Sequence, residues 1–223
     1  MHKRAIIFVN GQIRSPEAVR AMITPLDDLI AADRGLEHML ALGLTPDLLV
    51  GDLDSVAPAD LRAAREKGVR IERYPAEKNE TDLELALKFA LQRGADTIRI
   101  VGAAGGRLDM MLSHVLLLTG PQLRGLDVRL DDGCEQVFLI TGEARIEGKA
   151  GDRVSLLAVS GPAEGVVTEG LYYPLKDETL LPEQGRGLSN RMMGTEAKVR
   201  LRRGQLICLH TRLPGDEEGD CDA

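Results

Sequence analysis

Cysteine is too scarce and too scattered to staple this chain. Cys134, Cys208 and Cys221 form no C-x-x-C pair, and any disulfide scheme leaves one of them unmatched, which points to a reducing compartment. The four histidines are equally dispersed, which argues against a zinc site built from closely spaced ligands. No apolar run approaches the ~20 residues that span a bilayer, and Met1-His2-Lys3-Arg4 leads into a short β-like run and not into a signal peptide. A soluble, cytoplasmic protein is expected. Positive charge is also in deficit: the formal net charge is -7, and phosphate-backbone binding is dominated by Lys and Arg neutralisation, so a nucleic-acid partner is disfavoured. Small polyphosphates remain open as ligands, because acidic proteins bind them by gathering carboxylates around Mg²⁺, a hard cation that takes oxygen ligands and nucleotide phosphates.

What is present is ample for folding. With 223 residues, 43% hydrophobic and 28% charged, the chain can bury an apolar core in one large domain or two smaller ones. From Ala5 to about Asp131 short β-like runs alternate with helical stretches, the pattern of an α/β domain with a mostly parallel sheet. The strands expected are Ala5 to Val9, Asp28 to Ala32, Leu48 to Val50, Val69 to Tyr74, Thr97 to Val101 and Asp127 to Leu130. Helices are expected at Pro58 to Lys67, Thr81 to Arg93 and Arg107 to Thr119, where apolar residues recur at spacings of three and four and Gly68, Gly94 and Gly120 follow as stops. After Gly133 the texture changes to strand-length runs separated by Gly-containing turns, at Gln136 to Thr141, Ala144 to Glu147, Val154 to Val159, Ala197 to Arg202 and Leu206 to His210. The expected division is therefore an α/β domain over 1–133, an all-β domain over 134–213, and an acidic tail over 214–223 that is too polar to pack.

In a parallel α/β sheet, ligands bind outside the carboxyl ends of the strands. Here those ends carry acids and glycines: Asp33-Arg34-Gly35, Gly51-Asp52-Leu53-Asp54-Ser55, Lys78-Asn79-Glu80-Thr81-Asp82 and Gly102-Ala-Ala-Gly105-Gly106-Arg107-Leu108-Asp109. Asp52 and Asp54 stand two apart, a spacing that sends both side chains to one side of an extended segment. Their mutual repulsion is relieved by a divalent cation, and Mg²⁺ commonly takes one or two carboxylates plus substrate phosphates. The bland alternative is a solvated turn in which Asp54 and Ser55 cap the helix near Pro58. Asp82 reads equally as a first-turn helix acid, with Thr81 or Asn79 as its cap, and Lys78 as a solvated cation. Gly105 and Gly106 allow backbone N–H groups to approach phosphate oxygens at a helix N-terminus, and Arg107 adds a fork of donors; a plain tight turn is the alternative. Asp109 is either a third carboxylate of the metal shell or an ordinary helix acid. Gly142 to Lys149 mimics a phosphate-binding P-loop, but it has five intervening residues, no Ser or Thr after the lysine, and lies among strands, so it is set aside.

Taken in order and spacing, Asp33-Arg-Gly35, Gly51-Asp-Leu-Asp-Ser55, Lys78-x-x-Thr81-Asp82 and Gly105-Gly-Arg-Leu-Asp109 resemble the thiamine pyrophosphokinase family, and the likeness continues in Thr168-x-Gly170-Leu-x-Tyr173 and Gly187-Leu-Ser189-Asn190. It covers the chain from about Ala5 to His210. The resemblance implies an N-terminal Rossmann-like sheet flanked by helices for ATP and Mg²⁺, a C-terminal β domain of sandwich or barrel type, and a homodimer with thiamine sites between subunits. It implies that Asp52, Asp54 and Asp82 hold Mg²⁺, with Asp33 close by. Asp33, Lys78, Thr81, Gly105, Gly106, Arg107 and Asp109 would face the phosphates, and Ser189, Asn190, Tyr173 and Asp109 would meet thiamine. The sequence has no Trp, so Tyr172 and Tyr173 are the aromatics available to cover a cationic thiazolium. Two departures stand out: Asn79 where the family usually has Asp, and Met110 where a polar residue often follows the aspartate, with His114 one turn on either compensating or packing the helix. The implied reaction is attack by the thiamine hydroxyl on the β-phosphorus of ATP, with AMP leaving and Asp54 or Asp109 taking the proton. Its rivals are a pyrophosphokinase for another small alcohol such as a hydroxymethylpterin, a non-catalytic nucleotide or thiamine sensor, and a metal-dependent phosphohydrolase.

Overall fold

A computed structural model describes residues 3–213. The acidic segment at 214–223 lies outside the described residues. The chain divides into two compact units that meet at Gly133 and Cys134, and each is taken by itself.

The first unit alternates β1 (Arg4–Phe8), α1 (Pro16–Met22), β2 (Asp28–Ala32), α2 (Gly35–Ala41), β3 (Leu48–Gly51), α3 (Pro58–Glu66), β4 (Arg70–Arg73), α4 (Asp82–Gln92), β5 (Thr97–Val101), α5 (Leu108–Leu117) and β6 (Asp127–Asp131). Its strands pair in the order β4-β3-β2-β1-β5-β6, every pair parallel. The chain builds outward from β1 to β4 and then returns to add β5 on the other side of β1. This reversal leaves a crevice at the carboxyl ends of the central strands. Ile6, Ile7 and Phe8 are fully buried, as parallel strands covered on both faces require. Ile6 and Phe8 join Val19 of α1, Leu36 and Met39 of α2 and Ala64 of α3 in one cluster, while the alternating residue Ile7 points to the opposite face. α4 lies across β1, β2 and β3.

Side-chain caps mark the starts of α1 and α4. Ser15 caps α1, its hydroxyl accepting the Ala18 N–H at 3.3 Å ahead of Pro16 and Glu17. Thr81 and Glu84 form a reciprocal capping box at α4. α1 and α2 were not among the helices expected. Both have only seven residues, too short for a periodic apolar face, although Ser15-Pro16-Glu17 is the start signal that reveals α1. Gly35 opens α2 where the helix meets β1, and a Cβ there would land on the Phe8 carbonyl oxygen. Gly35→Ala is expected to cost about 1–3 kcal/mol through overpacking; a denaturant midpoint equal to wild type would show that the helix start is free to move.

The second unit contains β7 (Glu135–Ile140), β8 (Glu143–Glu147), β9 (Arg153–Glu169), β10 (Lys176–Leu180), β11 (Asn190–Arg191), β12 (Glu196–Arg200) and β13 (Arg203–Thr211), and its pairings are all antiparallel. β9 was expected to stop at Val159, just ahead of Gly161-Pro162. It continues instead through Ser160 and Gly161, both with positive φ. Pairing with β13 shifts register near this bend, and the second half of β9 pairs with β10 and β12. A bulge of this kind turns a strand from one sheet into another without ending it. Phe138, Leu156, Val166, Leu180, Val199 and Leu206 pack in the core so enclosed. The P-loop mimic falls on β8, paired with β12 and followed by no helix. Cys134 and Cys208 are both buried. Among the described residues no helix is long and apolar enough to cross a membrane.

Candidate active site

The ends of β2 and β3 are held unusually close. Gly51 adopts φ 151°, and a Cβ on it would stand 3.2 Å from the Asp33 Cβ. Asp33 itself sits in the left-handed region at φ 47°, a conformation that Asp tolerates better than most residues. Leu53 is also left-handed, at φ 62°, and its side chain is buried in the unit's core. That anchor turns the flanking Asp52 and Asp54 outward, so the strain in this bulky residue serves the placement of two carboxylates.

Asp33, Asp52 and Asp54 consequently converge, each offering a carboxylate oxygen within 4.8 Å of the others. One Asp33 oxygen accepts a hydrogen bond from Ser55 Oγ, and the other is buried without a hydrogen-bond partner. An orphaned carboxylate oxygen beside two further acids is the donor set a hard cation satisfies. α3 has Ala57 at its cap position with no side-chain cap bond, so Asp54 and Ser55 are not spent on capping it.

Asp82 stands apart from the converging three. It opens α4 and ion-pairs with Lys78 at 3.0 Å, and Lys78 also reaches the Pro75 carbonyl at 3.4 Å. The Thr81 hydroxyl is committed to Glu84, donating to Oε2 at 2.8 Å and accepting the Glu84 N–H at 3.2 Å. Arg73, which the sequence reading missed, donates to the Asp52 carbonyl at 3.0 Å. Near the start of α5, Gly105 and Gly106 are both left-handed, at φ 77° and 75°, and exposed Arg107 ion-pairs with Asp109 at 2.6 Å. His114 is buried, its Nδ1 bonded to the Ala103 carbonyl oxygen at 2.9 Å, so it packs α5 and leaves Met110 without a polar substitute. Thr81, Glu84, Asp109, Leu112 and Ser113 line a cleft of about 430 Å³, within the range of small-ligand sites.

The loop after β1 was also missed. Gly11 donates its N–H to the Gly102 carbonyl at 2.6 Å and Gln12 to the Ala104 carbonyl at 2.6 Å. A Cβ at Gly11 would strike both carbonyl oxygens. The signal was Gly11 itself, a glycine directly past a buried strand.

The charges are uneven. Asp52 is held below the usual carboxylate range because its side chain accepts the Asp54 backbone N–H, with Lys78 and Arg73 adding positive charge. Asp54 is pushed up by its hydrogen bond with, and charge repulsion from, Asp52. Asp82 is pushed up chiefly by burial and further by Asp33 and Asp52, against the pull of Lys78. Asp109 is lowered by Arg107. A cation binds the ionised carboxylates. As pH falls, Asp54 and Asp82 take up protons before an ordinary aspartate does, so Mg²⁺ affinity should decline from above the ordinary aspartate range. Asp82 has the reverse effect on the metal-free fold: its raised folded pKa stabilises the protein as pH falls through that value. Calorimetric Mg²⁺ titration across pH checks the first trend; affinity flat down to pH 4 would contradict it.

In the second unit, Asn190 and Tyr173 meet directly. The Asn190 side chain accepts the Tyr173 N–H at 3.0 Å and donates to its carbonyl at 2.7 Å. Ser189, left-handed at φ 55°, donates its N–H to Ser155 Oγ at 3.0 Å. Tyr172 and Tyr173 are both exposed and pack edge to face at 4.8 Å.

A doubly wound sheet with acids and left-handed glycines at its carboxyl ends, in a chain with a separate β unit, defines a ligand-binding α/β protein of two parts. Residues 20–130 match the catalytic domain of thiamin pyrophosphokinase and residues 143–206 its vitamin B1 binding domain. The chain belongs to the thiamin pyrophosphokinase family. It is 29% identical over 184 residues to the thiamine pyrophosphokinase of Bacillus subtilis, covering 82% of this chain and 86% of that one. The fold is similar to the crystal structure of the Bacillus subtilis protein, at a TM-score of 0.86 and 24% identity over 95% of this chain and all of that one. It is also similar to yeast thiamin pyrophosphokinase, at a TM-score of 0.81 and 17% identity over 95% of this chain and 87% of that one.

Proposed function

We propose that the protein transfers the pyrophosphoryl group of ATP to the hydroxyl of thiamine, giving thiamine diphosphate and AMP. The convergence of Asp33, Asp52 and Asp54, with a buried Asp33 oxygen lacking a partner, is the observation that carries this reading. These three would hold Mg²⁺, with Asp82 beside them, and the cation would neutralise the negative charge of the nucleotide phosphates. Pyrophosphoryl transfer needs positioning and charge neutralisation more than a covalent nucleophile. The Lys78 ammonium, ion-paired to Asp82, adds positive charge near Asp52. Gly105 and Gly106 offer backbone donors, and Arg107 exchanges its exposed bond to Asp109 for a phosphate oxygen. Asp54 or Asp109 would take the hydroxyl proton.

Tyr173 and Ser189 form the thiamine end, with Asn190 beside them. The match of residues 143–206 to a vitamin B1 binding domain favours thiamine over a pterin alcohol. A cytoplasmic homodimer with sites at the subunit interface accompanies this reading. Exposed Leu108, Leu112 and Leu116 lie one helical turn apart on α5, an apolar stripe of the kind a second subunit covers. An acceptor screen tests the function: AMP release from ATP should require thiamine, stay at background with 6-hydroxymethylpterin, and stay at background with no acceptor. AMP released without any acceptor would make the protein a phosphohydrolase instead.

A further inference from the structure

We infer that Asn190 is a positioning residue that acts through Tyr173 and not as a direct thiamine ligand, an inference that rests on the proposed acceptor site. The segment Gly170–Tyr173 is strapped to the segment Asn190–Met193 by backbone pairing. Met193 donates to the Gly170 carbonyl at 2.9 Å, Leu171 bridges Met192, and Tyr172 donates to the Arg191 carbonyl at 3.0 Å. Backbone pairing ends there, and the Asn190 side chain takes over both polar groups of the next residue, Tyr173. Its Oδ1 also accepts the Arg191 N–H at 2.9 Å. Three of the four hydrogen bonds an asparagine amide can make are therefore spent on backbone. The amide orientation is fixed by these partners, since a flip would set donors against donors and the oxygen against the Tyr173 carbonyl. Asn190 is buried at 8% exposure, whereas the Tyr173 side chain it steers is 57% exposed.

The surroundings leave the exposed ring with little else to fix its backbone. Tyr172 packs its ring edge to face against Tyr173 and is itself capped by the Arg191 guanidinium, 3.9 Å from the ring centroid. An aromatic wall for a flat cationic ligand is useful only when its ring is already in place, because the cost of ordering it is then met before binding. The clamp does this from beneath, through the main chain, with the ring left free to meet the ligand.

A double-mutant cycle in the full chain separates the two roles. Asn190→Ala is expected to raise the thiamine KM on the order of tenfold, the effect of losing a hydrogen-bonded anchor, with kcat and the ATP KM within about twofold of wild type. Asn190→Asp, which keeps the accepting oxygen and loses the donor, guards against a variant that does not fold. In a Tyr173→Ala background neither change should raise the thiamine KM further. Amide exchange of Tyr173 in the ligand-free protein, followed by NMR, should accelerate about tenfold in both single variants. Multiplying KM effects, or an unchanged Tyr173 exchange rate, would overturn the inference and leave Asn190 a direct ligand or a bystander. A wild-type protein that makes no thiamine diphosphate would refute the proposed function instead, while the exchange rates would still decide whether the clamp exists.

Discussion

Asp54→Ala is expected to lower thiamine diphosphate formation on the order of a thousandfold, the upper range for removing one preorganised electrostatic group from a reacting centre. The exposed Asp54 carboxylate contributes no packing, so the fold should persist. Without bound metal the change even relieves the repulsion that pushes Asp54 upward against Asp52. Thermal unfolding gives a readout separate from turnover. Mg²⁺ at a hundred times its dissociation constant stabilises a single-site protein by about 2.7 kcal/mol, so wild type should melt higher with Mg²⁺ while Asp54→Ala shows little response. Equal Mg²⁺ shifts in both proteins would remove Asp54 from the metal site, and unchanged turnover would remove it from the mechanism as well.

Asp33→Asn is expected to reduce turnover by about a hundredfold and to weaken Mg²⁺ binding with it. The choice of asparagine follows from the backbone. Asp33 is left-handed at φ 47°, and asparagine is one of the few side chains that accept this conformation, so a loss of function cannot be blamed on strain. Asparagine can still accept the Ser55 hydrogen bond, but it brings an amide in place of the ionised carboxylate whose second oxygen is orphaned. Asp33→Ala should show the same catalytic loss with an added stability cost of about 1 kcal/mol, because it loses the short polar side chain that makes the left-handed region tolerable. Wild-type activity in Asp33→Asn would mean that the convergence with Asp52 and Asp54 serves folding alone.

How much of this was legible in the sequence depended on whether the relevant signal was local. β2 carries a continuous apolar run of the kind parallel strands buried on both faces require, β5 buries Ile98, Ile100 and Val101 around Arg99, and their bounds, Asp28–Ala32 and Thr97–Val101, are those expected. α4 was legible to within one residue at each end because its capping box and apolar face agree. α2 was not, since Asp33-Arg34-Gly35 reads as a turn and Arg34 provides no side-chain cap. The long β9 was hidden by Gly161-Pro162, which only tertiary pairing reveals as a bend.

The candidate site divides in the same way. Asp52 and Asp54 were visible as a spaced pair because two residues along one strand end share a side. That Asp33 completes the converging set, with Asp82 ion-paired to Lys78 beside it, depends on strand order, on Gly51 allowing β2 and β3 to close, and on two left-handed residues. None of these leaves a periodic trace. Arg73 and the Gly11–Gln12 loop were missed for the same reason, since their contacts reach across strands. The Asn190 clamp on Tyr173 is a contact over 17 residues of sequence, and its motif could be seen while its geometry could not.

The most direct test of the central claim is product analysis from ATP labelled at the β-phosphate, incubated with Mg²⁺ and thiamine, with EDTA and no-thiamine controls. Equal amounts of unlabelled AMP and labelled thiamine diphosphate, both abolished by EDTA and by omission of thiamine, are the expected result. A folded, ATP-binding protein that releases no AMP, or that leaves the label in inorganic pyrophosphate, would contradict it.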